Sequence, residues 1–191
     1  MTTESFLVVT DTPSIKQFVF GTDTLAEIRG ASALLDQLNR RDTHARLQGA
    51  LGRAGGRIET VYANGGSGQF LVEGSSEEEV RRAVVSLNGY YRQETGGEVK
   101  LAFGLSPLGP ARGYREAVRT AHFQMRTQRE MTAVCRSTAM LPFMKECRSA
   151  SHLPASSPTP WGNEGVLLLS HASRRKREVS RRAREFGVWR E

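Results

Sequence analysis

The stretch VYANGGSGQFLV, Val61 to Val72, decides the fold. Upstream, Arg57 to Ala63 (RIETVYA) is rich in strand-forming residues, and downstream Gln69 to Glu73 (QFLVE) alternates and then runs apolar. Two such runs around a glycine-rich tip read as a β-hairpin. The tip itself, Gly65-Gly66-Ser67-Gly68, decides the chemistry. Glycines there take positive φ and let backbone approach a phosphate, but a two-metal nucleotidyl site also needs carboxylates to hold Mg²⁺. Ser67 and Gly68 supply none, and an ordinary tight turn is the other reading of the same four residues.

Working outward, Phe6 to Thr10 (FLVVT) reads as a buried central strand that delivers Asp11 at its C-terminal edge, where open α/β sheets place ligands. Asp11 reads equally as a turn-forming or capping aspartate in Asp11-Thr12-Pro13-Ser14. A short helical segment around Ile15, Phe18, Val19 and Phe20 follows, then a helix capped by Asp23 or Thr24 with Leu25, Ile28, Leu34, Leu35 and Leu38 on its apolar face. Gly30 interrupts that helix, and a glycine inside a helix costs about 1 kcal/mol relative to alanine, so something approaches closely there. Gly49 to Arg57 reads as a loop. Ser76 and Glu79 have capping-box spacing before a helix with Val80, Val84, Leu87 and Tyr91 inward. Val99 to Ser106 reads as a strand, and Pro110 to Glu130 as a helix with Tyr114, Ala117, Val118, Ala121 and Met125 inward. The order βααββαβα is an α+β plan of the ferredoxin-like palm type.

The chain has 191 residues and a net charge of +7, of which the segment Arg174 to Glu191 carries +5 through eight Lys/Arg against three Glu. Its basic character is mostly a property of the C-terminus. No apolar run reaches bilayer length and the N-terminus lacks a signal pattern, which makes a cytoplasmic protein without membrane partners the expectation. Two cysteines, Cys135 and Cys147, provide no disulfide framework.

The combination of Asp11 at a strand end, IKQFVFGTDTLAEIRGASALLDQLN (Ile15 to Asn39) and the GG hairpin resembles the second palm domain of the large, polymerase-like subunit of type III CRISPR effector complexes. The resemblance covers roughly residues 5 to 130. It implies a GGDEF-type polymerase/cyclase palm over residues 1–130, a degenerate zinc-ribbon-like extension or linker over 131–173, and a basic tail over 174–191. Active members of that family carry a GGDD hairpin, bind ATP with a divalent metal and make cyclic oligoadenylates. By resemblance, Gly65 and Gly66 match the glycine pair, Ser67 and Gly68 stand where the two aspartates belong, and Asp11 matches the acid after the first palm strand, the one candidate catalytic and Mg²⁺-binding carboxylate. Arg29, Gly30 and Ser32 fall where the family's helix faces the nucleotide. If a helix restarts at Gly30, its free N–H groups and Ser32 hold phosphate; otherwise Gly30 serves tight helix packing.

Relatives also carry paired cysteines before a basic segment, and the corresponding positions here read Cys147, Ala150, Ser170 and Ser173. One ligand of four remains, His152, His171 and Cys135 complete no standard spacing, and zinc is not expected. The leading function implied is a degenerate palm in antiviral defence that binds nucleotide, ATP with Mg²⁺, or scaffolds without catalysis, with type III effector subunits and RNA as partners. The enzyme alternative is a residual cyclase making cyclic oligoadenylate, with Glu73 the nearest second acid in sequence. The third is a nucleic-acid-binding module led by the basic tail. Family members continue beyond the palm, so the chain also reads as the amino-terminal part of a longer product.

Overall fold

The FLVV run becomes β1 (Ser5–Asp11), a strand paired on both edges, with the side chains of Phe6 to Val9 buried on both faces of the sheet. The computed structural model describes residues 5–109, 113–133, 144–150, 153–160 and 166–185. β2 (Arg57–Asn64) and β3 (Ser67–Glu73) form the hairpin, and with β4 (Ala102–Leu108) they give an antiparallel sheet of order β2-β3-β1-β4. The helices are α1 (Ile15–Phe20), α2 (Leu25–Gln37), α3 (Thr43–Leu51), α4 (Glu77–Glu94), α5 (Tyr114–Ala133) and α6 (His171–Glu185), and a small hairpin joins β5 (Ser157–Pro160) to β6 (Val166–Leu169). This is the α+β palm plan expected, with one helix more. α3, preceded by a π-helical turn over Leu38–Asp42, occupies part of the stretch read as a loop: the helix runs to Leu51 and a 3₁₀ turn covers Gly52–Ala54. Its sequence hides it, because only Thr43, Leu47 and Leu51 are buried among charged and glycine residues.

The residues fall into two compact units, one of 1–13, 36–91 and 100–135, the other of 14–35, 92–99 and 136–191. In the first, α5 covers the sheet face that carries Leu7, Val9 and Ala102, burying Ala117, Ala121 and Met125 against them. Tyr114, expected on that inward stripe, is half exposed and instead meets Gln69 through its hydroxyl. α5 also closes one edge of the sheet. The outward N–H groups of Phe103 and Leu105 donate to Gln128 Oε1 and Gln124 Oε1 at 2.6 and 3.0 Å, so this edge offers no free donors there for a further strand. The capping box forms as expected: Glu79 Oε2 accepts from Ser76 N at 2.8 Å, and Ser76 Oγ accepts from Glu79 N at 3.4 Å. The hydrogen bonds that Ser76 donates to the carboxylate, from its backbone N and from its hydroxyl at 2.7 Å, hold the Glu79 carboxyl below its usual value.

The second unit is organised by α6, which carries much of the basic segment. Lys176 on α6 is 1% exposed; its ammonium donates to the Phe18 carbonyl at 2.8 Å, pairs with Glu98 at 3.1 Å and lies 4.2 Å from the Phe18 ring centroid. Arg177 pairs with fully buried Glu27 at 2.6 Å, and Arg175 pairs with Glu94. α2 passes α6 at Gly30, where an added Cβ would lie 1.7 Å from the Lys176 carbonyl oxygen. The helix therefore does not restart at Gly30: its hydrogen-bonded course is unbroken from Leu25 to Gln37, and the glycine is required by the neighbouring backbone. Leu25, expected on the apolar face, is exposed.

The four positions matched to zinc ligands converge in this unit. Cys147 is buried with Ala150 and Leu169. Ser170 N donates to its Sγ at 3.1 Å, and Ser173 Oγ lies 3.4 Å away. Burial pushes the Cys147 thiol up, but the hydrogen bonds of Ser173 and Ser170 outweigh it and leave the thiol below its ordinary value. One sulfur with two hydroxyls does not fit tetrahedral zinc, which takes nitrogen and sulfur ligands. Cys135 and His152 lie outside the described residues, among which no group of three or more metal-ligating side chains occurs.

Three outcomes test the packing described above. Gly30→Ala should destabilise the protein by about 3 kcal/mol in denaturant unfolding, because backbone must move to admit the methyl group. Gly49→Ala, in α3 with open space around its added Cβ, should instead stabilise by about 0.5–1 kcal/mol. The triple change Ala150→Cys, Ser170→Cys and Ser173→Cys should create a tetrathiolate cluster that takes up one zinc per chain, read by elemental analysis and by cobalt(II) charge-transfer absorption, while the unaltered protein takes up none.

Candidate functional site

Asp11 and the hairpin tip meet because of strand register. β1 and β3 run antiparallel with Asp11 opposite Ser67 and Thr10 opposite Gly68. The tip between Asn64 and Ser67 is a two-residue connection, and its central residues Gly65 and Gly66 have φ of 61° and 91°. Positive φ at both is what a type I′ hairpin turn demands and what side chains with a Cβ resist. The turn thus ends with Ser67 beside the strand-end acid: Ser67 Oγ donates to Asp11 Oδ1 at 3.1 Å.

The second oxygen of that carboxylate is also engaged. Arg129 Nη1 donates to Asp11 Oδ2 at 3.4 Å, with the arginine side chain 49% exposed and the aspartate 19%. Nothing in the local sequence marks Arg129, but its spacing does. It stands one further step of four beyond Ala117, Ala121 and Met125, the stripe that α5 lays on the sheet, so a charged residue arrives where the strand carrying Leu7 and Val9 ends in Asp11. A single acid with both oxygens engaged, one of them by a guanidinium, fits a divalent cation poorly.

Gly68, where the family's second acid would fall, is closed off from within. A Cβ there would lie 2.7 Å from the Phe70 ring and 2.8 Å from Thr10 Oγ1, and Phe70 is 1% exposed. Glu73, the alternative acid, pairs with Ser5 at the opposite end of β1, and six residues of strand separate it from Ser67, about 20 Å at the usual rise. Arg29, Gly30 and Ser32 belong to the second unit, on the continuous helix α2; Gly30 is buried there and Arg29 and Ser32 are partly buried.

No helix among the described residues is long and apolar enough to cross a membrane. No family model matches the chain, and no curated protein matches its sequence. Solved structures do. Csm1 from T. onnurineus is similar over 67% of this chain with 16% identity and a TM-score of 0.55. The Csm1-Csm4 cassette in complex with AMPPNP is similar over 66% with 17% identity and a TM-score of 0.53, and the same cassette in complex with cA4 over 88% with 16% identity and a TM-score of 0.53. The chain spans only 19% of the first of these Csm1 chains, and 25% of the one solved with cA4. Csm1 is the large subunit of a type III CRISPR complex, and at this identity the likeness shows the fold: the α+β palm with its hairpin next to the central strand.

Proposed function

We propose that the chain is a palm-domain protein of type III CRISPR-related antiviral defence that binds a nucleotide at the hairpin and does not turn it over. The observation that carries the second half is the state of Asp11. In nucleotidyl transfer of this type, paired carboxylates hold Mg²⁺ so that it activates the attacking hydroxyl and neutralises charge on the α-phosphate. Here the hairpin tip brings no acid, Glu73 is at the wrong end of its strand, and the Asp11 carboxylate is shared between Ser67 and Arg129. Electrostatic stabilisation of the transition state is usually the largest catalytic contribution, so its loss removes turnover while leaving a shaped, glycine-lined edge able to hold phosphate.

The first half is supported by the fold shared with Csm1 structures solved with AMPPNP, ATP and cA4. ATP is the nucleotide we assign, and a Csm4-like subunit is the partner, since Csm1 is found with Csm4 in those cassettes. RNA reaches the protein through such subunits in this reading. The nucleic-acid-binding alternative loses ground because Arg175, Lys176 and Arg177, three of the cations that suggested it, neutralise Glu94, Glu98 and Glu27.

Incubated with ATP and Mg²⁺ or Mn²⁺, the purified protein should yield no linear or cyclic oligoadenylate above a no-enzyme blank by mass spectrometry. Product made by the unaltered protein and lost on Asp11→Ala would establish an active cyclase and overturn this reading.

A further inference from the structure

We propose that Arg129 is the resident cation of the hairpin site, so that the site takes the phosphates of a nucleoside triphosphate without a divalent metal ion. The inference rests on the nucleotide-binding reading above and specifies how the charge of the ligand is met. Four observations converge on it. The guanidinium lies 3.4 Å from Asp11 Oδ2, at the carboxylate that a metal would need. Ser67 takes the other carboxylate oxygen, so Asp11 is oriented as a holder of Arg129. Arg129 is still half exposed: only Nη1 is spent on Asp11, and a guanidinium carries five N–H donors in a rigid fork. Finally, Gly65 and Gly66 leave the turn bare of side chains beside this pair, and Gly65 has open space where a Cβ would stand.

The charge logic separates this site from a metal site. In a metal site the carboxylate attracts Mg²⁺, and Mg²⁺ attracts the triphosphate; neutralising the carboxylate destroys binding. Here the carboxylate competes with the triphosphate for the same guanidinium, so neutralising it releases Arg129 to the ligand. Mg²⁺ chelated to the phosphates also cancels charge that Arg129 would meet and brings a cation toward a cation. The two arrangements therefore respond with opposite sign to the same substitution and the same ion.

The test is calorimetric titration of the full chain with ATP, in EDTA and in excess Mg²⁺, for the unaltered protein, Asp11→Asn, Arg129→Ala and Arg129→Lys, each checked for native circular dichroism. The expected results are binding in EDTA, affinity severalfold weaker in Mg²⁺, severalfold tighter binding by Asp11→Asn, and roughly tenfold weaker binding by Arg129→Ala with partial recovery in Arg129→Lys. Should binding require Mg²⁺ and vanish in Asp11→Asn, or be untouched in Arg129→Ala, Arg129 is not the site's cation, while the nucleotide-binding reading stands. No heat and no saturation with ATP in any protein or buffer would remove the nucleotide-binding reading itself, and this inference with it.

Discussion

The register of β3 on β1 is the constraint from which the candidate site follows. Side chains alternate along a strand, so a slip of one residue would send Ser67 to the face opposite Asp11 and turn Phe70 and Val72 out of the core. The seven-residue pairing from Ser5 with Glu73 to Asp11 with Ser67 prevents that slip, because Phe6, Leu7, Val8 and Val9 are all buried and neither face tolerates exchange. The two-glycine turn fixes the same register from the other end. A hydrogen bond between a serine and an aspartate 56 residues apart is thus dictated by core burial and turn geometry, neither of which concerns the chemistry of the two side chains.

The second unit shows the converse, a charged sequence doing the work of a core. An ammonium that is 1% exposed loses its hydration, and removing a partner from such a buried pair typically costs about 3–5 kcal/mol. Lys176 offsets that loss with a carbonyl, a carboxylate and an aromatic face, the first and last from Phe18 on α1 and the carboxylate from Glu98 in the 92–99 segment. Arg177 with Glu27 and Arg175 with Glu94 repeat the pattern beside it. These pairs are directional where apolar contacts are not, and they fix which residue of α6 stands opposite Gly30. A run of arginines at a chain's end is legible as charge, but whether it is solvated or internal depends on acids at positions 27, 94 and 98, which sequence order does not bring near it.

Much of the first unit could be read directly. β1, the hairpin, the capping box of α4 and the inward stripe of α5 each announce themselves through local periodicity or local chemistry. α3 gives a weak signal, because its buried stripe Thr43, Leu47 and Leu51, though spaced by four, is narrow and holds only two apolar side chains. Tyr114 was misread for a related reason: period alone assigned it inward, while the first turn of α5 leaves its ring half exposed beside Gln69. Of the site, Asp11 and Ser67 were legible as candidates, but Arg129 was not, since its meaning comes only from the passage of α5 over the end of β1. The association of Cys147 with Ser170 and Ser173 was legible only through the family resemblance, because nothing in a serine itself suggests a neighbouring buried thiol.

Phe70 decides what position 68 can hold. On a strand, positions 68 and 70 share a face, and with no side chain at Gly68 the Phe70 ring lies across the glycine, against Thr10 on the neighbouring strand. The space a carboxylate would need is therefore part of the hydrophobic core. Placing an aspartate there must displace a buried ring, at the cost of about 1–3 kcal/mol that overpacking carries. Ser67 differs. Its side chain is only partly buried and already directed at Asp11, so an acid at that position would face the Asp11 carboxylate across about 3 Å, with Arg129, among the described residues, the one cation at that carboxylate. The two positions resist an acid for different reasons, packing at one and charge at the other.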